Sequence, residues 1–226
     1  VAGPPGAGKA PAGAVTITDL PSVPLDTVAG EILRRSDNNG AELLTKELGR
    51  QANAATPTTA AGVTAIQAAL RADGLPLDGL HMVDGSGLDR SDRVTCQLIL
   101  AALLRSGPTG AIGQGLAIAG KTGTLFQRFV ATSASGRLRA KTGSLEGASA
   151  LSGFVLPPAA AAGAPSAPGA SAVAANPATG NGVAFSLILN GVANLAAGDA
   201  LCDRIGVLLA QFPEAPPLAA LAPLPA

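Results

Sequence analysis

The spacing of apolar residues changes once along this chain, and that change decides its fold class. As far as Arg105 the apolar positions recur every three or four residues, and from Arg137 onward they alternate. A 3.6-residue period marks one face of a helix, and a period of two marks one face of a strand. The spacing therefore predicts a helical block followed by a sheet. Leu25, Val28 and Ile32 predict a helix after Pro24 that stops at Ser36-Asp37-Asn38. A second helix runs from about Gly40 to Leu48, with Leu43, Leu44 and Leu48 on one side. Thr58 or Thr59 caps a third, carrying Val63, Ile66 and Leu70 and ending at Asp73-Gly74 and Pro76. Asp84-Gly85-Ser86-Gly87 reads as a tight loop and Thr95 to Arg105 as a fourth helix. Val15 to Thr18 alternates weakly, as a short strand would. Arg137 to Thr142 reads as an exposed strand, with further strands at Ala148 to Val155 and Val183 to Leu189. Leu201, Ile205, Leu208, Leu209 and Phe212 form the apolar face of a closing helix. Helices segregated from an antiparallel sheet make this an α+β chain within the broad α/β class.

Composition narrows the function. Fifteen Lys and Arg balance fifteen Asp and Glu, so the field expected of a nucleic-acid binder is missing. Five Phe with no Tyr or Trp argue against base-stacking platforms and sugar-binding clefts. A lone histidine, His81, rules out a His-rich metal site and reads as a packed or surface residue. Cys96 and Cys202 permit one disulfide and no cysteine metal site; both sit in apolar helical patterns and are expected to be buried thiols. Asn190 and Asn194 interrupt the uncharged stretch Gly182 to Gly198, which makes a poor membrane span and a good strand followed by a turn. Residues 1–14 read as a flexible leading segment, 15–212 as the folded part and 213–226 as a Pro-rich tail. Pro157 to Gly180, almost wholly Ala, Pro, Gly and Ser, reads as a flexible hairpin insert. Val1 is not a start residue, so the N-terminus reads as cut.

Two tripeptides 105 positions apart carry chemistry: Ser36-Asp37-Asn38 and Lys141-Thr142-Gly143. A serine hydroxyl both donates and accepts, so Ser36 can pass a proton between a base and a leaving amine. Asn38 offers an amide donor and acceptor to a carbonyl or a nearby lysine, and Asp37 stabilises the turn. Lys141 and Thr142 supply a cation and a hydroxyl suited to a carboxylate. Gly143 lets a backbone approach, the strand can pair with an extended peptide, and the Ser144 amide can face a developing oxyanion. Each tripeptide is also ordinary turn or strand-exit sequence. A second Lys-Thr-Gly at Lys121-Thr122-Gly123 lacks alternation and reads as a decoy. Gly3-Pro4-Pro5-Gly6-Ala7-Gly8-Lys9 fits a phosphate loop by spelling, yet Ala10 replaces the hydroxyl residue and no strand precedes it.

In order, these stretches resemble the low-molecular-mass class C penicillin-binding proteins, the D-alanyl-D-alanine carboxypeptidase/endopeptidase family. The resemblance runs through Ile32 to Asn38, Asp84-Gly85-Ser86-Gly87-Leu88 with Arg93-Val94-Thr95, Gly136 to Leu145 and Ser152 to Val155, and covers about residues 9–212. It implies a β-lactamase/transpeptidase-like fold whose N-terminal part is missing here. It implies Ser36, Asn38 and Lys141 as catalytic residues and Thr142, Gly143 and Ser144 as substrate-binding ones. Peptidoglycan stem peptides and β-lactams are the implied partners, with no metal or other cofactor and a periplasmic or other extracytoplasmic location. Where the family has Asp-Gly-Thr-Leu, this chain has Lys121-Thr122-Gly123-Thr124-Leu125. The family's nucleophilic Ser-x-x-Lys is absent: three residues before the four lysines stand Gly6, Leu43, Ile118 and Leu138. The chain alone is thus expected to be inactive. A class A β-lactamase shares both tripeptides but needs a deacylating glutamate, and no Glu occurs from Arg50 to Ser144. The remaining alternative is a non-catalytic domain that binds cell-wall peptide or a partner.

Overall fold

A computed structural model describes residues 9, 11–15, 18–52, 57–158 and 182–212. The phosphate-loop look-alike, the heart of the insert, the Pro-rich tail and the middle of the Val15–Thr18 stretch lie outside them.

The helical block comes first. Helix α1 is Leu25–Arg35, α2 Asn38–Gln51 and α3 Thr59–Ala72. Thr58, the earlier of the two candidates, accepts from Ala61 N to open α3. Asp37, read from the sequence as a turn residue, accepts from Gly40 N and so opens α2 as well. Opening at Asn38 puts that residue on the first turn of a helix, two residues ahead of the predicted start.

The buried face of α2 differs from the prediction. Leu43 and Leu48 are exposed, and the residues that face α3 are Thr45 and Gly49. Small residues there bring two backbones together. A Cβ built on Gly62 of α3 would lie 2.5 Å from the Thr45 carbonyl carbon, and one on Gly49 would lie 2.7 Å from Gly62 N. Glu42 ties this pair to the Asp84–Gly87 loop, accepting from Gly85 N (2.6 Å), Ser86 N (3.1 Å) and Thr59 Oγ1 (3.0 Å).

Helix α4 is Cys96–Ser106, capped by Thr95, and a short α5 spans Ala111–Gly115. Strand β1, Ala117–Ile118, leads through a 3-10 turn at Gly123–Leu125 toward β2, Leu138–Leu145. Strands β3, Gly147–Val155, and β4, Val183–Val192, complete an antiparallel sheet in the order β1-β2-β3-β4. Helix α6, Leu195–Leu209, opens on an Asn194 cap, so the turn expected to reach Gly198 ends sooner.

Alternation along the strands separates two cores. Leu138 and Ala140 of β2, Leu151 and Val155 of β3 and Phe185 of β4 share the core that holds Cys202 of α6. The opposite face places Phe154 against Leu103 and Leu116 on the α4–α5 side. Strand β2 is therefore not wholly the exposed strand its polar residues suggest, since Leu138 and Ala140 are buried in the core that α6 shares. Cys96 also departs from expectation: it is exposed at the start of α4, while Cys202 is buried, and both thiols are free. His81 lies at the surface, bridged through its backbone to Arg93. Among the described residues no helix is long and apolar enough to cross a membrane.

Candidate active site

Ser36 closes α1 in the left-handed conformation (φ 57°, ψ 50°). Its own N–H and that of Asp37 both return to Ile32 O, the latter at 3.0 Å, and so satisfy the carbonyl end of the helix. The reversal turns the Ser36 side chain, half-buried, toward the sheet. Across the interface Lys141 Nζ donates to Ser36 Oγ at 2.6 Å and to its own neighbour's carbonyl, Thr142 O, at 2.7 Å. The two tripeptides thus meet. Burial pulls the Lys141 ammonium below its ordinary pKa of 10.5.

The other predicted site residues fall nearby with different surroundings. Asn38 is exposed at the start of α2, and it is the Ser36 hydroxyl, not the Asn38 amide, that meets the lysine. Thr142 Oγ1 donates to Thr124 Oγ1 at 3.0 Å. Ser144 Oγ donates to both carboxylate oxygens of Asp199 on α6, each at 3.1 Å. Gly143 sits in an ordinary strand conformation, where a Cβ would come within 3.3 Å of Ala150 Cβ on β3.

The backbone of β2 has a free edge. Ala119 N donates to Leu138 O from the β1 side, whereas Leu156 N donates to Arg137 O from the β3 side. By the alternation of an antiparallel ladder, Thr142 and Ser144 then aim their N–H and C=O groups toward the β1 side. Among the described residues β1 pairs only with Ala140 and Arg139, so it stops short of both residues. The result, among those residues, is a short strand edge with no strand beside it, starting at a half-buried lysine that already holds the Thr142 carbonyl.

Lys121-Thr122-Gly123 does not form a second site of this kind. Lys121 is exposed, and Thr122 Oγ1 is occupied in accepting from Ile118 N at 3.0 Å. Its neighbour Thr124, which reading by motif passed over, is the residue that reaches Thr142. The signal that would have singled it out is its place in the family's Asp-Gly-Thr-Leu stretch. Among the described residues no group of three or more His, Cys, Asp or Glu side chains is placed to hold a metal ion.

Residues 1–212 match the model of the D-Ala-D-Ala carboxypeptidase 3 (S13) family. A D-alanyl-D-alanine carboxypeptidase of Actinomadura sp. (strain R39) is 32% identical over 207 residues, covering 88% of this chain and 34% of that protein. Penicillin binding protein 4 (dacB) from Haemophilus influenzae superposes with a TM-score of 0.61 at 25% identity, over 75% of this chain and 34% of that one. A second structure of that protein, complexed with a β-lactam, superposes with a TM-score of 0.63 at 23% identity, over 81% of this chain and 41% of that one. The likeness extends to the fold, a helical block on an antiparallel sheet. The chain spans about a third of the length of the curated relative it matches over most of its residues.

Proposed function

Because this chain belongs to the D-Ala-D-Ala carboxypeptidase 3 (S13) family, we propose that it forms part of a serine-type site that hydrolyses D-alanyl-D-alanine bonds in peptidoglycan stem peptides. The reaction passes through an acyl-enzyme, as carboxypeptidase or endopeptidase, in an extracytoplasmic compartment. The observation that carries this reading is the 2.6 Å contact from Lys141 Nζ to Ser36 Oγ, joining side chains 105 positions apart. Ser36 gives its hydroxyl proton to the leaving amine and takes in its place the proton that the attacking serine has released to its own lysine base, so Ser36 ends neutral and Lys141 stays an ammonium. Asn38, at the mouth of the site, holds the substrate carbonyl. Thr142 and Gly143 receive the substrate's terminal carboxylate and backbone, with Lys141 supplying positive charge. The outward amide of Ser144 donates to the developing oxyanion, and the free β2 edge pairs with the extended peptide.

The attacking serine belongs to a Ser-x-x-Lys segment, which none of the 226 residues supplies. This polypeptide by itself is therefore inactive and forms no acyl adduct, while a longer form carrying that segment takes β-lactams on the serine. Without the segment, the chain binds cell-wall peptide without cutting it. Labelling with a fluorescent penicillin tests the reading. The 226-residue chain should stay unlabelled, and a form extended by a Ser-x-x-Lys helix should label at a rate that falls sharply in Lys141→Ala. A stable adduct on the 226-residue chain, or an extended form indifferent to Lys141→Ala, would refute it.

A further inference from the structure

Lys141 Nζ has two acceptors: Ser36 Oγ at the end of α1, and Thr142 O on its own strand. One short turn presses on both elements. Gly123 has φ +58°, and a side chain there would run into the Arg34 carbonyl, with its Cβ 2.7 Å from Arg34 Cγ and 3.0 Å from the carbonyl carbon. Arg34 stands two residues before Ser36. The next residue, Thr124, meets Thr142 through the 3.0 Å hydroxyl pair. Two consecutive residues thus each touch an element that holds one acceptor of the lysine.

The turn is braced by its own backbone hydrogen bonds. Lys121 N and Thr122 N both donate to Ile118 O at 3.0 Å, and Gly120 N donates to Leu125 O at 2.9 Å. The Leu125 side chain is fully buried in the larger core. Just upstream, α5 meets α1 backbone to backbone, since a Cβ on Gly115 would lie 2.9 Å from Gly30 Cα. Helix α1 therefore rests at two points on the 111–125 segment, and that segment is itself paired to β2 through Ala117 and Ile118.

We propose that Gly123 and Thr124 are positioning residues, which set the separation across which Lys141 reaches Ser36: Gly123 through Arg34, and Thr124 through Thr142. The inference rests on the proposed function only in taking Lys141 as the cation of the site. It also gives the hydroxyl pair a use. When a carboxylate meets Thr142 Oγ1, that hydroxyl turns its hydrogen outward, and Thr124 can reverse from acceptor to donor behind it.

The test is a titration of the 226-residue chain with its lysines labelled with carbon-13 at Cε and followed by NMR. Four lysines make assignment direct. In the wild type, Lys141 should titrate below its ordinary 10.5. In Gly123→Ala and in Thr124→Val its midpoint should rise toward that ordinary value, as water reaches Nζ, and in Thr124→Ser it should return to the wild-type position. Should Gly123→Ala fail to fold, the Thr124 pair carries the test alone. A folded Thr124→Val that titrates Lys141 as the wild type does would overturn the proposal. So would a Thr124→Ser that fails to restore it. The titration needs no turnover, so its failure is distinct from failure of the penicillin labelling.

Discussion

Replacing Gly62 with alanine probes how α2 is held behind the Ser36 turn. In an isolated helix the change is favourable, by about 1 kcal/mol, because alanine loses less backbone entropy than glycine. Here the new methyl would meet the Thr45 carbonyl, with its carbon 2.5 Å from the carbonyl carbon and 2.7 Å from Thr45 Cγ2. Backbone has no rotamer by which to withdraw, so α2 and α3 must separate by about an ångström, and the Gly49 contact opens with them. Overpacking of this kind costs roughly 1–3 kcal/mol, and the upper end applies where the obstacle is a carbonyl. The net expectation is a loss of about 2 kcal/mol. With a urea slope of roughly 2 kcal/mol/M for a chain of this size, the unfolding midpoint should fall by about 1 M at constant slope. A Gly62→Ala chain as stable as the parent, or more so, would refute the close approach of the two helices.

Glu42→Ala should cost about 2 kcal/mol in the same urea assay, because the amides of Gly85 and Ser86 lose their shared acceptor. Glu42→Gln keeps one carbonyl oxygen and should cost less than half of that. Lys141 gives a pH dependence of definite sign. Its folded pKa lies below the unfolded value, so the unfolded chain binds more protons between the two, and stability rises with pH across that window. Compared with Lys141→Met in denaturant titrations, the wild type should gain ground as pH climbs toward 10.5. A gap independent of pH would contradict the buried ammonium. Cys96 should react with a thiol reagent in the native state, and Cys202 only after unfolding.

Much of the architecture was legible in the sequence because the apolar period reports it directly. The change near Arg137 separates the helical block from the sheet, and Thr58 caps the helix it precedes. The misreadings share a cause. Leu43, Leu44 and Leu48 share one side of α2 by their spacing, yet Leu43 and Leu48 are exposed, because helices that pack backbone to backbone bury small residues, here Thr45 and Gly49. Strand β1 has two residues, too few to display any period. The polar look of Arg139, Lys141 and Thr142 hid the burial of Leu138 and Ala140 between and beside them. The meeting of Ser36 and Lys141 has no local signature at all. It was expected only from the ordered resemblance to a known family, and the role of Thr124 depends on a contact across the fold that no run of residues announces.

The left-handed backbone at Ser36 has a consequence for what can stand there. Only two aliphatic side chains carry a hydroxyl, and threonine's second γ atom crowds a carbonyl in this region of φ and ψ, where an ordinary L-residue already pays roughly 1–2 kcal/mol. Threonine, the usual neutral exchange for serine, is therefore closed to this position by geometry before chemistry is considered. Residues that tolerate the conformation, such as glycine and asparagine, bring no hydroxyl. The turn admits several side chains, and the proton relay admits two. Serine is what they have in common.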